Sequence, residues 1–335
     1  MKKIIALVLM LTMAVVMLAG CGNATGGAVK TGLGVVSSIA KSTDVTAEKE
    51  GLAQVDSTVA AVMVDKDGKI LKCDIDVAQT KINFSAEGKV TTPLDNEFKT
   101  KKELGEAYGM KKASSIKKEW NEQADAFAAY VVGKTLEQVK GIAINAEGVP
   151  TGSDLTSSVT VHITDLTAAI EKAVNNAKDL GAKAGDKLGL GVVTTINKST
   201  DATAEKEGLA QAYSMYTATT FAADGKITSS VIDSSQSNVS FTTDGKITSD
   251  IAGELKTKNE LGDAYGMKKA SGIKKEWNEQ AAAFAAYTVG KTVAQVKGVA
   301  VNAEGVPTAS ELTSSVTVHI TDFLTIIEKA SANAK

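Results

Sequence analysis

The 335-residue chain carries 37 Lys and Arg against 39 Asp and Glu, a formal net charge of −2, and is 43% hydrophobic with 4% aromatic residues. A near-neutral chain without a basic cluster lacks the charge footprint of a nucleic-acid binder, so no nucleic-acid partner is expected. It has two cysteines, Cys21 and Cys73; with Cys21 taken up by the N-terminal modification expected below, only Cys73 remains, so neither an intrachain disulfide nor a cysteine metal site is expected, and no metal is expected.

Met1-Lys2-Lys3 followed by the apolar run Ile4 to Met17 has the shape of a secretory signal, residues 1–20, which is cleaved rather than folded. The run is shorter than the roughly 20 apolar residues that a membrane span requires. It ends in Leu18-Ala19-Gly20 before Cys21, which resembles the lipobox of bacterial lipoproteins, where the cysteine becomes the lipidated N-terminus. That resemblance implies a protein on the outer face of the cell membrane, held by acyl chains such as palmitate on Cys21. More than one chain is needed, because a single one binds only marginally. Residues 21–31, ending in GNATGGAVKT, then read as the lipidated cysteine and a flexible tether.

The rest is one unit written twice. Leu33 matches Leu190, Gly68 matches Gly225, Trp120 matches Trp277 and Thr160 matches Thr317, at a constant offset of 157 residues. That period is far longer than a solenoid unit, so residues 32–178 and 189–335 are expected to be two domains, each with its own core, joined by a linker at 179–188.

Within a copy, Asp56 to Val64 and Ile70 to Asp76 flank Asp67-Gly68, a hairpin turn signal. Thr80 to Ser85 and Lys89 to Thr92 flank a second glycine turn, which predicts an antiparallel meander. Thr100-Lys101-Lys102-Glu103 has capping-box spacing. Trp120 to Val132 then places Trp120, Ala124, Phe127 and Val131 on one helical face. Thr135 to Gln138 offers a second capping box for a short helix ending at Gly141, and Ile142 to Asn145 reads as a strand. Asp165-Leu166-Thr167 is expected to cap a last amphipathic helix through Ala177. The class is α+β: two tandem homologous domains, each a small antiparallel sheet with packed helices.

The run TSSVTVHITD occurs at Thr156 to Asp165 and again at Thr313 to Asp322, and holds both histidines of the chain. Its alternation predicts a half-buried strand with Ser158, Thr160 and His162 on one face and Val159, Val161 and Ile163 on the other.

Asp154-Leu155-Thr156-Ser157-Ser158-Val159-Thr160, followed by an amphipathic helix, resembles the flavinylation motif of FMN-binding domains: Asp, two variable residues, Ser or Thr, Gly or Ser, Ala, Thr. The resemblance implies that Thr160 and Thr317 each carry one FMN through a phosphoester made by a flavin transferase outside the cytoplasm. Asp154 and Glu311 are the acidic motif positions. Ser157, Ser158, Ser314 and Ser315 are candidates to bond the phosphate, and His162 and His319 are weaker candidates for the phosphate or ring. Val159 and Val316 stand where the motif has Ala, and Glu311 where it has Asp.

With its lipobox, its tandem units and the segments KELGEAYGMKK and KKEWNEQA, the whole chain is similar to the pheromone-type lipoproteins of Gram-positive bacteria that act as extracellular electron-transfer flavoproteins. This implies a redox carrier without catalytic residues, not a turnover enzyme. It would take electrons from a membrane quinone pool fed by an NADH dehydrogenase and pass them to ferric iron or soluble flavins. The competing expectation is a cofactor-free surface lipoprotein that binds a solute or wall component. The leader segment Ala14 to Gly20 also resembles a released pheromone peptide.

Overall fold

The computed structural model describes residues 29–335. The signal segment, Cys21 and most of the tether lie outside the described residues. The folded part starts two residues earlier than the sequence suggested: Val29 is buried and strand β1 (Lys30–Ser38) begins at Lys30.

Copy one forms an antiparallel sheet of order β3-β2-β1-β4, from β1, β2 (Gly51–Val64), β3 (Ile70–Phe84) and the two-residue β4 (Lys178–Asp179). β2 and β3 run in unbroken register from Gly51 opposite Phe84 to Ala61 opposite Asp74, with one shift at Met63/Val64 beside the predicted turn. The second predicted hairpin does not exist as such. β3 runs straight through to Phe84, and the Lys89 to Thr92 segment contributes only a bridge between Phe84 and Val90. The polar residues that seemed to end the strand at Asp76 are satisfied within the fold. Asp76 accepts a hydrogen bond from the Lys102 amide at 3.1 Å, and Gln79 donates to Asp56 at 3.0 Å.

The helices are α1 (Lys101–Leu104), α2 (Trp120–Val131), α3 (Leu136–Lys140) and α4 (Thr164–Asn175). Both predicted capping boxes are present, at Thr100 with Glu103 and at Thr135 with Gln138. Trp120, Ala124, Phe127 and Val131 all point into the core. Two expectations are corrected. Ile142 to Asn145 makes only an isolated bridge, Ile144 to Pro150. α4 begins at Thr164 after Ile163 without a side-chain cap, so Asp165 sits in the first turn, where its charge complements the helix dipole.

Copy two repeats the plan with β5 (Lys187–Thr195), β6 (Gly208–Phe221) and β7 (Ile227–Phe241), followed by α5 (Lys258–Leu261), α6 (Trp277–Thr288), α7 (Val293–Lys297), α8 (Ser310–Thr313) and α9 (Thr321–Asn333).

The two sheets pack face to face, and helices cover each outer face. Alternate residues of a strand face opposite ways. On β2, Ala60, Val62 and Val64 meet the helices of copy one, while Val59, Ala61 and Met63 meet Leu188, Leu190, Val192 and Tyr216 of copy two. A second inter-sheet cluster is centred on Phe84 and Phe241, whose rings stack at 4.2 Å. Each copy therefore has an outer core of its own, and the two share an inner one, because both faces of the central strands are apolar.

Contacts between the copies come in exchanged pairs, as across a two-fold axis. Val45 N–H donates to the Gly245 carbonyl at 2.9 Å, and the matching Ala202 N–H donates to Gly88 at 2.7 Å. Lys172 pairs with Glu260 and Lys329 with Glu103, both at 2.6 Å. The expected linker is docked rather than loose. Lys178 and Asp179 pair with β1, and Asp186 accepts from Thr228 at 2.6 Å.

Candidate functional site

Thr156 to Ile163 is not a strand. Residues 153–158 are consecutive turns, and 159–163 have no ladder partner and bend at Val161 before α4 starts. The alternation survives without a sheet: Val159 and Ile163 are buried and Val161 packs at the core edge, while His162 is exposed. The segment lies against α2 instead of a neighbouring strand, so the valines bury as predicted but the backbone has no ladder to join. In copy two the preceding residues form the short helix α8, where copy one has turns. Glu311, in the first turn of α8, replaces Asp154, and Glu has the higher helix propensity.

What holds the candidate threonines is a residue that the motif did not indicate. Gln123, fully buried on α2, accepts at its Oε1 both the Thr160 N–H at 2.8 Å and the Thr160 hydroxyl at 3.2 Å. Its Nε2 donates to Ser114 Oγ and the Lys118 carbonyl, each at 3.2 Å. Gln280 repeats this for Thr317, at 2.8 Å and 3.1 Å, with donations to Ser271 and Lys275. Lys117 and Lys274, in the loops that supply these partners, are the two non-glycine residues with positive φ among the described residues, so the same strained turn serves both copies. A polar residue at i+3 on the apolar stripe that starts at Trp120, and again at Trp277, was the available signal.

Thr317 opens onto a cavity of about 740 Å³ lined by Tyr213, Met215, Lys258, Tyr265, Met267 and Trp277. The elements meet there by register. Tyr213 and Met215 are on the outer face of β6, Lys258 is the first residue of α5, Tyr265-Gly266-Met267 is the following turn, and Trp277 opens α6. Lys258 is buried, with its Nζ 4.5 Å from the ring centre of Tyr213, 4.6 Å from Tyr265 and 5.0 Å from Trp277. Its Nζ donates to the Tyr213 hydroxyl at 3.0 Å. Burial pushes the Lys258 ammonium down to about 8, with Asp233 opposing the shift, so the side chain remains cationic at neutral pH. Asp322 also lines the cavity, and burial raises its carboxyl despite the nearby His319.

In copy one, Lys101 lies 5.0 Å from the Tyr108 ring and 5.2 Å from Trp120. The position of Tyr213 is taken by Asp56, which pairs with Lys41 at 3.0 Å and accepts from Gln54 and Gln79.

The remaining motif residues divide. Ser158 and Ser315 donate their hydroxyls to Leu155 and Leu312 carbonyls, each at 3.1 Å, and their amides go to the same carbonyls, so both are engaged in shaping the turn. Ser157 is exposed, as is Ser314, and the Ser157 hydroxyl has no hydrogen bond among the described residues. Asp154 accepts from the Tyr130 hydroxyl at 2.7 Å. Glu311 lies near the matching Tyr287, whose hydroxyl is raised first by burial and then by that charge. His162 and His319 are tied through Nδ1 to the carbonyls of Glu147 and Glu304. His319 reaches the cavity wall, but its Nδ1 is engaged with its own chain.

No known family model matches the chain, and no solved structure matches it. It is 32% identical over 108 residues to chlorophenol reductase of Desulfitobacterium hafniense, a match covering 29% of this chain and 33% of that protein. The chain thus spans about a third of the length of that relative.

Proposed function

We propose that the chain is a lipid-anchored, extracellular electron carrier holding one FMN through a phosphoester at Thr160 and one at Thr317. The observation that carries this reading is the recurrence of one arrangement in both copies: a threonine whose amide and hydroxyl rest on the same buried glutamine oxygen. In copy two that threonine stands beside an aromatic cavity.

In copy two the residues fit the group. Cofactor sites run to roughly 300–1,000 Å³ with mostly apolar linings and a few convergent polar groups, and the cavity at Thr317 is about 740 Å³. Tyr213, Tyr265, Trp277 and Met267 suit a flat conjugated ring, and Lys258 suits the charge it gains on reduction. Flavin, when bound, supplies two-electron chemistry that no side chain here offers, linking a membrane quinone and NADH dehydrogenase system to acceptors such as ferric iron or soluble flavins.

The chain's own residues position and shield. Once the threonine oxygen is esterified its hydroxyl donor is gone, but the Thr N–H to Gln bond remains and keeps the backbone in place. A glutamine amide is not a base, and a threonine is a poor nucleophile unassisted, so the flavin transferase would supply the activation. A covalent link also removes the need for a surrounding pool of flavin to keep the site occupied by mass action.

Chain produced with its transferase is expected to exceed the lipoprotein mass by two FMN units, and Thr160→Ala and Thr317→Ala are each expected to remove one. An unmodified mass from membranes that contain the transferase refutes the reading. In that event the alternative, a surface lipoprotein binding a solute or wall component in the same cavity, is tested by a ligand-dependent melting shift.

A further inference from the structure

We infer that the two sites hold the reduced cofactor unequally, copy two more tightly than copy one, and that the exchange of Asp56 for Tyr213 sets the difference. The inference rests on the attachment proposed above.

The titratable groups facing the copy-two cavity are Lys198, Tyr213, Lys258, Tyr265, His319 and Asp322. At the matching positions copy one has Lys41, Asp56, Lys101, Tyr108, His162 and Asp165. Every pair but one keeps its residue type, and that one trades a carboxylate for a phenol. Burial works against ionisation of Asp56, but hydrogen bonds from Lys41, Gln79 and Gln54 hold its carboxyl below the ordinary value, so it is an anion at neutral pH. Lys41 is thereby neutralised as an ion pair, whereas its twin Lys198 faces the copy-two cavity with a phenol in place of that partner. Lys258 adds a second cation there, enclosed by three rings that keep water from screening it.

Flavin reduction adds two electrons and one proton, leaving the ring negatively charged. When reducing equivalents pass from copy one to copy two, two electrons and one proton leave the first cofactor, which is oxidised. They arrive at the second, which is reduced, and no other reactant takes part. A carboxylate in copy one, and two ammonium groups in copy two that meet one carboxylate fewer, both favour that direction, and the burial of Lys258 strengthens its share.

The test uses the full chain loaded by its transferase. Thr160→Ala leaves only the copy-two flavin and Thr317→Ala only the copy-one flavin, and spectroelectrochemical titration gives the midpoint potential of each. The copy-two flavin is expected to be the higher by at least tenfold in the oxidised-to-reduced equilibrium, about 30 mV for a two-electron couple. Asp56→Asn, which keeps the shape of the side chain, is expected to raise the copy-one potential. Tyr213→Asp, for which Lys198 offers the partner that Lys41 gives Asp56, is expected to lower the copy-two potential. Equal or reversed potentials in loaded chains, or potentials unmoved by both substitutions, overturn this inference alone. A chain that carries no flavin at either threonine overturns the attachment and this inference with it.

Discussion

A glutamine with no exposed surface on the apolar stripe of a helix must find partners for both ends of its amide, because an unpaired buried polar group costs about 1–3 kcal/mol. Gln123 finds four, two of them on Thr160. Gln123→Leu is therefore expected to lower stability by about 2 kcal/mol in urea unfolding. It should also reduce flavin at Thr160 while leaving Thr317 loaded, as read by peptide mass. Equal loss at both threonines would point to a general folding defect instead. The motif offers Thr160 and Thr317 as candidates, whereas nothing in it points to Gln123, because the bond joins residues 37 apart in sequence. The serines show the converse: Ser158 and Ser315 have the chemistry to bind phosphate, but turn geometry has already engaged their hydroxyls and amides.

At the scale of elements, most local signals were readable, the expected cap at Asp165 excepted, and tertiary ones were not. Capping boxes and the α2 stripe depend on residues within one turn, and they stand where the sequence puts them. The length of β3 depends on what its polar residues meet across the fold. Asp76 and Asp233 each accept an amide of the first turn of the next short helix, Lys102 at 3.1 Å and Asn259 at 3.0 Å, so a strand carboxylate helps cap a distant helix. Burial pushes Asp76 up to about 6 and Asp233 to about 7, against opposing hydrogen bonds. Between the ordinary carboxylate value of 3.8 and those raised values the folded chain binds protons that the unfolded chain has released. Stability from these groups is therefore present in acid and lost as pH rises through about 6 to 7. Denaturant midpoints are expected to rise between pH 7.5 and 5 by the equivalent of at least about 1 kcal/mol, and Asp233→Asn should flatten part of that rise. A midpoint that falls over the same interval contradicts the assignment.

For the whole molecule, the repeat and the α+β class were plain in the sequence, but the arrangement of the copies was not. Periodicity shows that a strand has an apolar face, and cannot show that a second copy covers it. Because Phe84 and Phe241 are both fully buried in one inter-sheet cluster, Phe84→Ala is expected to cost about 3–5 kcal/mol and to destabilise both copies together. Each copy has one tryptophan, so Trp120→Phe and Trp277→Phe variants report on the copies separately. Coincident fluorescence transitions with and without Phe84→Ala would bear out the shared core, and separated ones would disprove it.

The exchanged contacts are those a homodimer would make, carried here within one polypeptide. In a true homodimer every substitution appears twice, so an acid at one pole would bring an acid at the other, and the two poles would remain chemically alike. Joining the halves through the segment between β4 and β5 removes that constraint. It also makes pairing independent of dilution, since each half meets its partner at the effective concentration set by the chain itself. A fused chain is thus free to give its ends different polarity while retaining the symmetric interface, and Asp56 at the position that matches Tyr213 is where this chain does so.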